Sequence, residues 1–206
     1  MSQVQAFESP VGTLEWVFID DEGKEDLQGI PKYSVDVVLE PEQAAVVEDA
    51  INAFWEENKP KGAKDAKSLG IYDHNVKDEE ASAEAGENVY KPTGKKVLRF
   101  KTGITYKSGD RKIIKIFNSK GNEVSLMGKK IGNGSRGRVG GSMAIYNINK
   151  ATCGVTFYLD RIQLSKFVEY TGGGTFEAMP DEEGDFDGVD GGMGGIEDEQ
   201  VERPRL

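Results

Sequence analysis

From Lys96 to Phe167 the chain is a succession of period-two segments divided by glycine-containing turns, and this restricts it to antiparallel sheet. The segments are Lys96 to Lys107, Arg111 to Asn118, Glu123 to Met127, Arg136 to Asn147 and Gly154 to Phe167. Alternation of apolar and polar residues puts successive side chains on opposite faces of a strand. Ser108-Gly109-Asp110 and Lys120-Gly121-Asn122 leave room for little but hairpin turns. Two further strands precede them: Val11 to Ile19, with Leu14, Trp16 and Phe18 in alternation, and Tyr33 to Leu39, with Tyr33, Val35, Val37 and Leu39 on one side. The 26 glycines suit the turns and close backbone approaches of such a fold. The expected class is all-β, an antiparallel barrel with one main helix.

That helix stands where the period changes. Ala44, Val47, Ile51 and Phe54 recur every three or four residues after Pro41, a residue suited to the first turn because its missing amide has no partner there. Lys59-Pro60 stops the run, so the expected helix is Pro41 to Asn58. Residues 59–94 have no sustained period and are expected to form a long loop with some helix. After Tyr170 the pattern dissolves into glycine runs and acids, too poor in apolar surface to offset the entropy of ordering. The expected organisation is one domain over residues 1–175, with 59–94 as an excursion, and a disordered acidic tail over 176–206.

Charge is segregated along the chain, and this points to a ligand. Residues 1–89 carry 7 basic and 21 acidic groups, residues 90–170 carry 17 basic and 4 acidic groups, and residues 171–206 carry 2 basic and 11 acidic groups. The three segments are therefore −14, +13 and −9 inside a chain of net −10. A cationic segment within an acidic protein suits a polyanionic ligand.

The positions of the cations within the strands sharpen this. Leu98, Phe100, Ile104 and Tyr106 alternate with Arg99, Lys101, Thr105 and Lys107, so one face is core and the other cationic. Lys95, Arg111, Lys112 and Lys115 extend that face, and Arg136, Arg138 and Tyr146 share parity opposite Val139, Met143 and Ile145. The run from Gly128 to Gly141 interleaves glycine with Lys129, Lys130, Arg136 and Arg138, which lets backbone approach phosphate closely. An unpaired strand needs cations for its phosphates and flat rings for its bases, each stacked base being worth roughly 1–3 kcal/mol. Phe117 and Tyr146 are the candidate rings, whereas Trp16, Phe18, Phe54, Phe100 and Phe157 are expected in the core. The candidate binding set is Lys95, Arg99, Lys101, Lys107, Arg111, Lys112, Lys115, Phe117, Lys129, Lys130, Arg136, Arg138 and Tyr146, and it requires these cations to converge on one groove. Phosphate contacts do not choose the strand form, so a duplex- or RNA-tolerant barrel stays open, as does a structural adaptor meeting an acidic protein.

Catalysis finds little to work with. His74 is the single histidine and Cys153 the single cysteine, so no histidine-based triad and no histidine-rich metal site can be assembled, and Cys153 is expected as a buried hydrophobe. The glycine run lacks the lysine and hydroxyl spacing of a P-loop. Glu183, Asp185, Asp187 and Gly188 begin like a calcium loop, but its twelfth position is Gly194 instead of glutamate. No enzyme activity, cofactor or metal is expected. No apolar run reaches the roughly 18 residues of a membrane helix, and Met1 to Glu8 does not resemble a secretory leader, so a soluble intracellular protein is expected.

The basic region 95–170, with Ile131-Gly132-Asn133-Gly134-Ser135, the Tyr146 strand, the Gly154 to Tyr170 ending and the acidic tail, resembles the bacteriophage single-stranded DNA-binding proteins. The resemblance implies an OB-fold-like barrel that coats exposed DNA in phage replication, recombination and repair, in the cytoplasm of an infected bacterium. It further implies a tail that recruits replication proteins such as a polymerase or helicase. Two departures are visible: the helix follows the second strand, earlier than in a simple OB order, and the sequence closes on Arg203-Pro204-Arg205-Leu206 where some relatives finish on acids and an aromatic.

Overall fold

The computed structural model describes residues 4–20, 22–26, 28–149 and 151–172. Nine strands and two helices follow one another there: β1 (Val4–Glu8), β2 (Gly12–Phe18), β3 (Lys24–Glu25), β4 (Pro31–Leu39), α1 (Pro41–Asn58), β5 (Ile71–Lys77), α2 (Glu79–Ala85), β6 (Tyr90–Gly103), β7 (Lys115–Phe117), β8 (Ser135–Asn149) and β9 (Thr152–Lys166). The expected tail, residues 176–206, lies outside the described residues.

Five strands close a ring. β2 pairs with β4, β4 with β6, β6 with β9, β9 with β8, and β8 returns to β2. All the pairings are antiparallel except β6 to β9, which is parallel and passes through Phe100 opposite Phe157. β1, β3, β5 and β7 are additions on β8, β4, β6 and β9 respectively. The all-β barrel expected from alternation is what forms. Its interior takes Tyr33, Val35, Val37 and Leu39 from β4, Leu98 and Phe100 from β6, Val139 and Met143 from β8, and Val155, Phe157 and Leu159 from β9, where the ladder then slips and the inward parity passes to Ile162 and Leu164. Phe157 is central, its ring 4.9 Å from that of Phe7 and 5.3 Å from that of Phe100 in tilted contacts. Cys153 is buried, as its apolar neighbourhood suggests.

So narrow a ring brings backbones close where β8 and β9 coil. A Cβ on Gly141 would stand 1.8 Å from the Tyr158 carbonyl oxygen and one on Gly137 2.3 Å from that of Gln163, so glycine there is steric necessity. α1 occupies its expected span and packs Ala44, Val47, Ile51, Phe54 and Trp55 inward. Burial of a side chain the size of Ile51 or Phe54 contributes about 1.5–3 kcal/mol.

Three expectations change. Residues 59–94, expected as a long loop with some helix, do hold a helix, α2, capped by the Asp78 side chain at its start and by Gly86, at φ 69°, at its end, but they also hold a strand: β5 runs antiparallel along β6. Most of β5 is exposed, so it carries no core-facing alternation. The segment 111–118 is a strand only at β7, and 123–127 supplies a single bridge from Glu123 to Phe117, because β9 offers β7 only the pairs at Arg161 to Gln163. The third change concerns Trp16.

Candidate nucleic-acid interface

Period two assigns Trp16 to the same side as Leu14, but the ladder between β2 and β4 slips between Glu15 and Phe18. At this bulge Trp16 adopts φ 49°, the left-handed region that bulky residues avoid. Its N–H donates to Oδ1 of Asn133 at 2.8 Å, and the N–H of Gly134 donates to the Leu14 carbonyl at 3.1 Å. The glycine-rich stretch therefore serves here as a clamp on β2. Trp16 turns out of the barrel with 56% of its surface exposed, and Phe18 is half-buried, so neither is the core residue that alternation suggests. Tyr106, grouped by parity with the core, is exposed as well.

The outer face of β2, β4 and β6 is then a register lattice. Glu15, Asp36 and Arg99 form one row, Phe18, Ser34 and Lys101 the next, and Lys24 stands opposite Lys32 beyond them. The Lys24 ammonium lies 5.6 Å from the Trp16 ring centre and 5.0 Å from that of Phe18. Lys32 pairs with Asp26. Asp36, only 4% exposed, accepts two hydrogen bonds from Arg99, at Nε 2.8 Å and Nη2 2.7 Å, and this pairing raises the arginine pKa against the cost of burial. The same guanidinium stands 5.5 Å from the ring centre of Tyr72 on β5, which is exposed and whose hydroxyl is 2.9 Å from Ser68 Oγ. The β5–β6 ribbon arches over this floor far enough to bring Nε2 of His74 to 3.3 Å from Glu15.

Electrostatics follow from the row structure. Burial first, and then the positive charges of Lys32 and Arg99, hold the Lys101 ammonium below its usual pKa of 10.5. A buried ammonium held beside two further cations favours a bound anion. The result is a cleft about 15 Å across, from β2 over β4 and β6 to the added strand β5, floored by Lys32, Lys101 and Arg99 and flanked by the rings of Trp16, Phe18 and Tyr72.

The candidate cations do not gather on one groove. Arg99 and Lys101 belong to this cleft. Lys95 pairs with Glu40 before α1, at 2.7 Å, and Lys107 is exposed in the turn after β6. Arg111, Lys112, Lys129 and Lys130 line a second groove of about 380 Å³ at the end of the barrel, where Nε of Arg111 donates to the Tyr33 hydroxyl at 2.9 Å and Lys112 to Oγ1 of Thr102 at 2.7 Å. Lys129 pairs with Glu169 at 2.6 Å and Lys130 with Asp20 at 3.4 Å. Lys115, Phe117, Arg136 and Arg138 stand on the outer wall of β7, β9 and β8. Tyr146 is half-buried, hydrogen-bonded to the Ser68 backbone, and burial pushes its phenol pKa up. Five cleft residues were missing from the candidate set: Trp16, Phe18, Lys24, Lys32 and Tyr72. The two lysines lie within the −14 segment, where net charge conceals them.

The sequence matches no protein-family model and no curated protein. Solved structures do match. The chain superposes on gp2.5, a single-stranded DNA-binding protein encoded by bacteriophage T7, with a TM-score of 0.52 at 20% identity, over 83% of this chain and 91% of that one. It also superposes on the single-stranded DNA-binding protein of bacteriophage Enc34, solved in complex with single-stranded DNA, with a TM-score of 0.53 at 18% identity, over 81% of this chain and 89% of that one. The fold is that of the phage single-stranded DNA-binding proteins. A closed five-stranded OB-like barrel forms here, and the resemblance expected from the basic region and the tail holds at the level of fold. Among the described residues no helix is long and apolar enough to cross a membrane.

Proposed function

We propose that this protein binds single-stranded DNA in the cleft on the outer face of β2, β4 and β6, holding phosphates with Lys24, Lys32 and Lys101 and stacking bases on Trp16, Phe18 and Tyr72. The supporting observation is the bulge that turns an indole out of the barrel beside Lys24, on a fold shared with proteins that bind such strands. Arg99, tied to Asp36, contributes a flat guanidinium next to Tyr72 more than a free charge. Binding of this kind is tolerant of sequence and falls with salt, with a log-log slope of about −0.7 per phosphate neutralised. The role is non-enzymatic and needs no cofactor: the protein coats exposed phage DNA during replication, recombination and repair in the host cytoplasm.

The segment 176–206 has a part in this through charge alone. As part of a −9 stretch tethered to a domain with a +13 segment, it competes with DNA for cations and, once displaced, is free to recruit polymerase or helicase. Deleting residues 177–206 should tighten DNA binding at low salt, and unchanged affinity would remove the competition. The central test is fluorescence anisotropy with labelled oligo-dT, duplex and RNA of equal length. Preference for oligo-dT with a falling salt profile is the expected result. Tighter binding of duplex or RNA, or a flat salt profile, would overturn the proposal.

A further inference from the structure

In a five-membered ring the wall opposite β4 is the β8–β9 pair, and that wall carries a second ordered set of cations. Lys115 on β7 stands opposite Arg161 on β9, which stands opposite Gly140 on β8. Phe117, Gln163 and Arg138 make the next row, and Arg136 faces Lys166 beyond it. Two of these cross-strand pairs, Lys115 with Arg161 and Arg136 with Lys166, set like charges opposite one another; Lys115 is offset by Glu123 at 3.0 Å and Arg161 by Glu8, whereas the antiparallel pair of Arg136 with Lys166 stays uncompensated, an arrangement that destabilises a sheet. Arg136 and Lys166 have no ion pair among the described residues.

The middle of the wall is shaped. Arg161 lies flat across β8 because position 140 is glycine: a Cβ there would meet its guanidinium at 2.8–2.9 Å. Glu8 of β1 holds the two arginines, Arg161 at 2.6 Å and Arg138 at 3.3 Å, and the hydrogen bond from Arg161 lowers the pKa of its carboxyl. Nε of Arg138 also donates to Gln163 at 2.7 Å, and Gln163 donates to the Asn118 carbonyl at 2.9 Å. These contacts bound a concavity of about 180 Å³ beneath the turn at Gly121. Tyr158, opposite Ser142 on the same wall, is exposed.

We infer that the β7–β9–β8 wall is a second nucleic-acid seat, taking the phosphodiester backbone of another strand segment while the first occupies the cleft on the other side of the ring. Lys115, Arg136 and Lys166 hold its phosphates. Arg161 and Arg138, kept in place by Glu8, form the middle contact. Cations two residues apart on one strand are about 6.8 Å apart, close to the phosphate repeat of an extended chain. One protomer thereby links two segments of nucleic acid without base pairing between them. This rests on the barrel binding DNA in the first place, so each side is measured separately.

Biotinylated oligo-dT is immobilised, loaded with the full-length protein and washed, and a second, fluorescent oligo-dT is added; two such strands cannot pair. The native protein should retain the second strand. A triple variant, Lys115→Gln with Arg136→Gln and Lys166→Gln, should retain at least fivefold less, while its anisotropy Kd for a single short oligo-dT stays within about twofold and its melting temperature is unchanged. Its salt slope for capture should fall by about 2, three lost cations at about 0.7 each. Capture equal to the native protein's by a folded triple variant would overturn the second seat, and so would native protein that binds the first strand and captures none. Retention of an acidic peptide in place of the second strand would equally overturn it. Failure to bind the first strand would instead refute the proposed function.

Discussion

Replacing Trp16 by glycine should separate binding from folding. A non-glycine residue in the left-handed region costs roughly 1–2 kcal/mol, and Trp16 sits there at φ 49°. Glycine removes that cost. What it gives up in the folded state is an indole more than half exposed and a contact with Lys24 worth about 0.5–1 kcal/mol at such a site. The two nearly cancel, and at about 2–4 °C per kcal/mol for a chain of this length the melting temperature should move by less than about 4 °C. Binding has no such compensation. Loss of one stacking platform removes about 1–3 kcal/mol, which is about a 5- to 150-fold rise in Kd for oligo-dT. Anisotropy titration and thermal melting of the same preparation read both quantities. A Kd within twofold of native would show that the indole stacks on no base. A melting temperature lowered by more than about 8 °C would show that the side chain is structural, and the assignment of the cleft would fail with it.

Other outcomes follow from the same geometry. Because burial and the charges of Lys32 and Arg99 depress Lys101, its folded form loses the proton below the unfolded value of 10.5, so neutral Lys101 adds stability as pH rises toward that value, while bound phosphate favours the proton. Affinity should therefore decline from about pH 7 to about pH 10 more steeply in the native chain than in Lys101→Arg, which stays charged; parallel Kd profiles would contradict this. Asp36→Ala leaves the Arg99 guanidinium without its buried partner and should cost about 1–3 kcal/mol, seen as a lower urea midpoint. Gly141→Ala drives a Cβ into the Tyr158 carbonyl and should cost about 4 kcal/mol or more, so a soluble variant with native melting would refute the coiling of β8 on β9.

What the sequence disclosed is what local physics controls. α1 was legible to its end residues because its apolar spacing, Pro41 and Lys59-Pro60 all act within a few positions. β4, β8 and β9 were legible because one face of each is core. β5 was not, since a mostly exposed ribbon has no core to impose alternation, and β1 was not read as a strand because burial touches it mainly at Phe7. The cleft was half legible. Arg99 and Lys101 alternate against Leu98 and Phe100, whereas Lys24 and Lys32 lie in an acidic segment and join the site only through the pairing of β3, β4 and β6. Trp16 was misassigned because its orientation is fixed by Asn133, a contact no local pattern encodes. The assumption of one groove failed for a geometrical reason: a ring of five strands has two sides, and parity tells out from in without telling which side.

The amide of Trp16 finds its acceptor 117 residues downstream. During synthesis, therefore, a chain halted anywhere before Asn133 lacks both the acceptor that holds the β2 kink and the two strands that close the ring. The turned-out indole is thus a property of the closed barrel and not of β2, and it arrives on the ribosome only once the clamp and the closing strands have emerged.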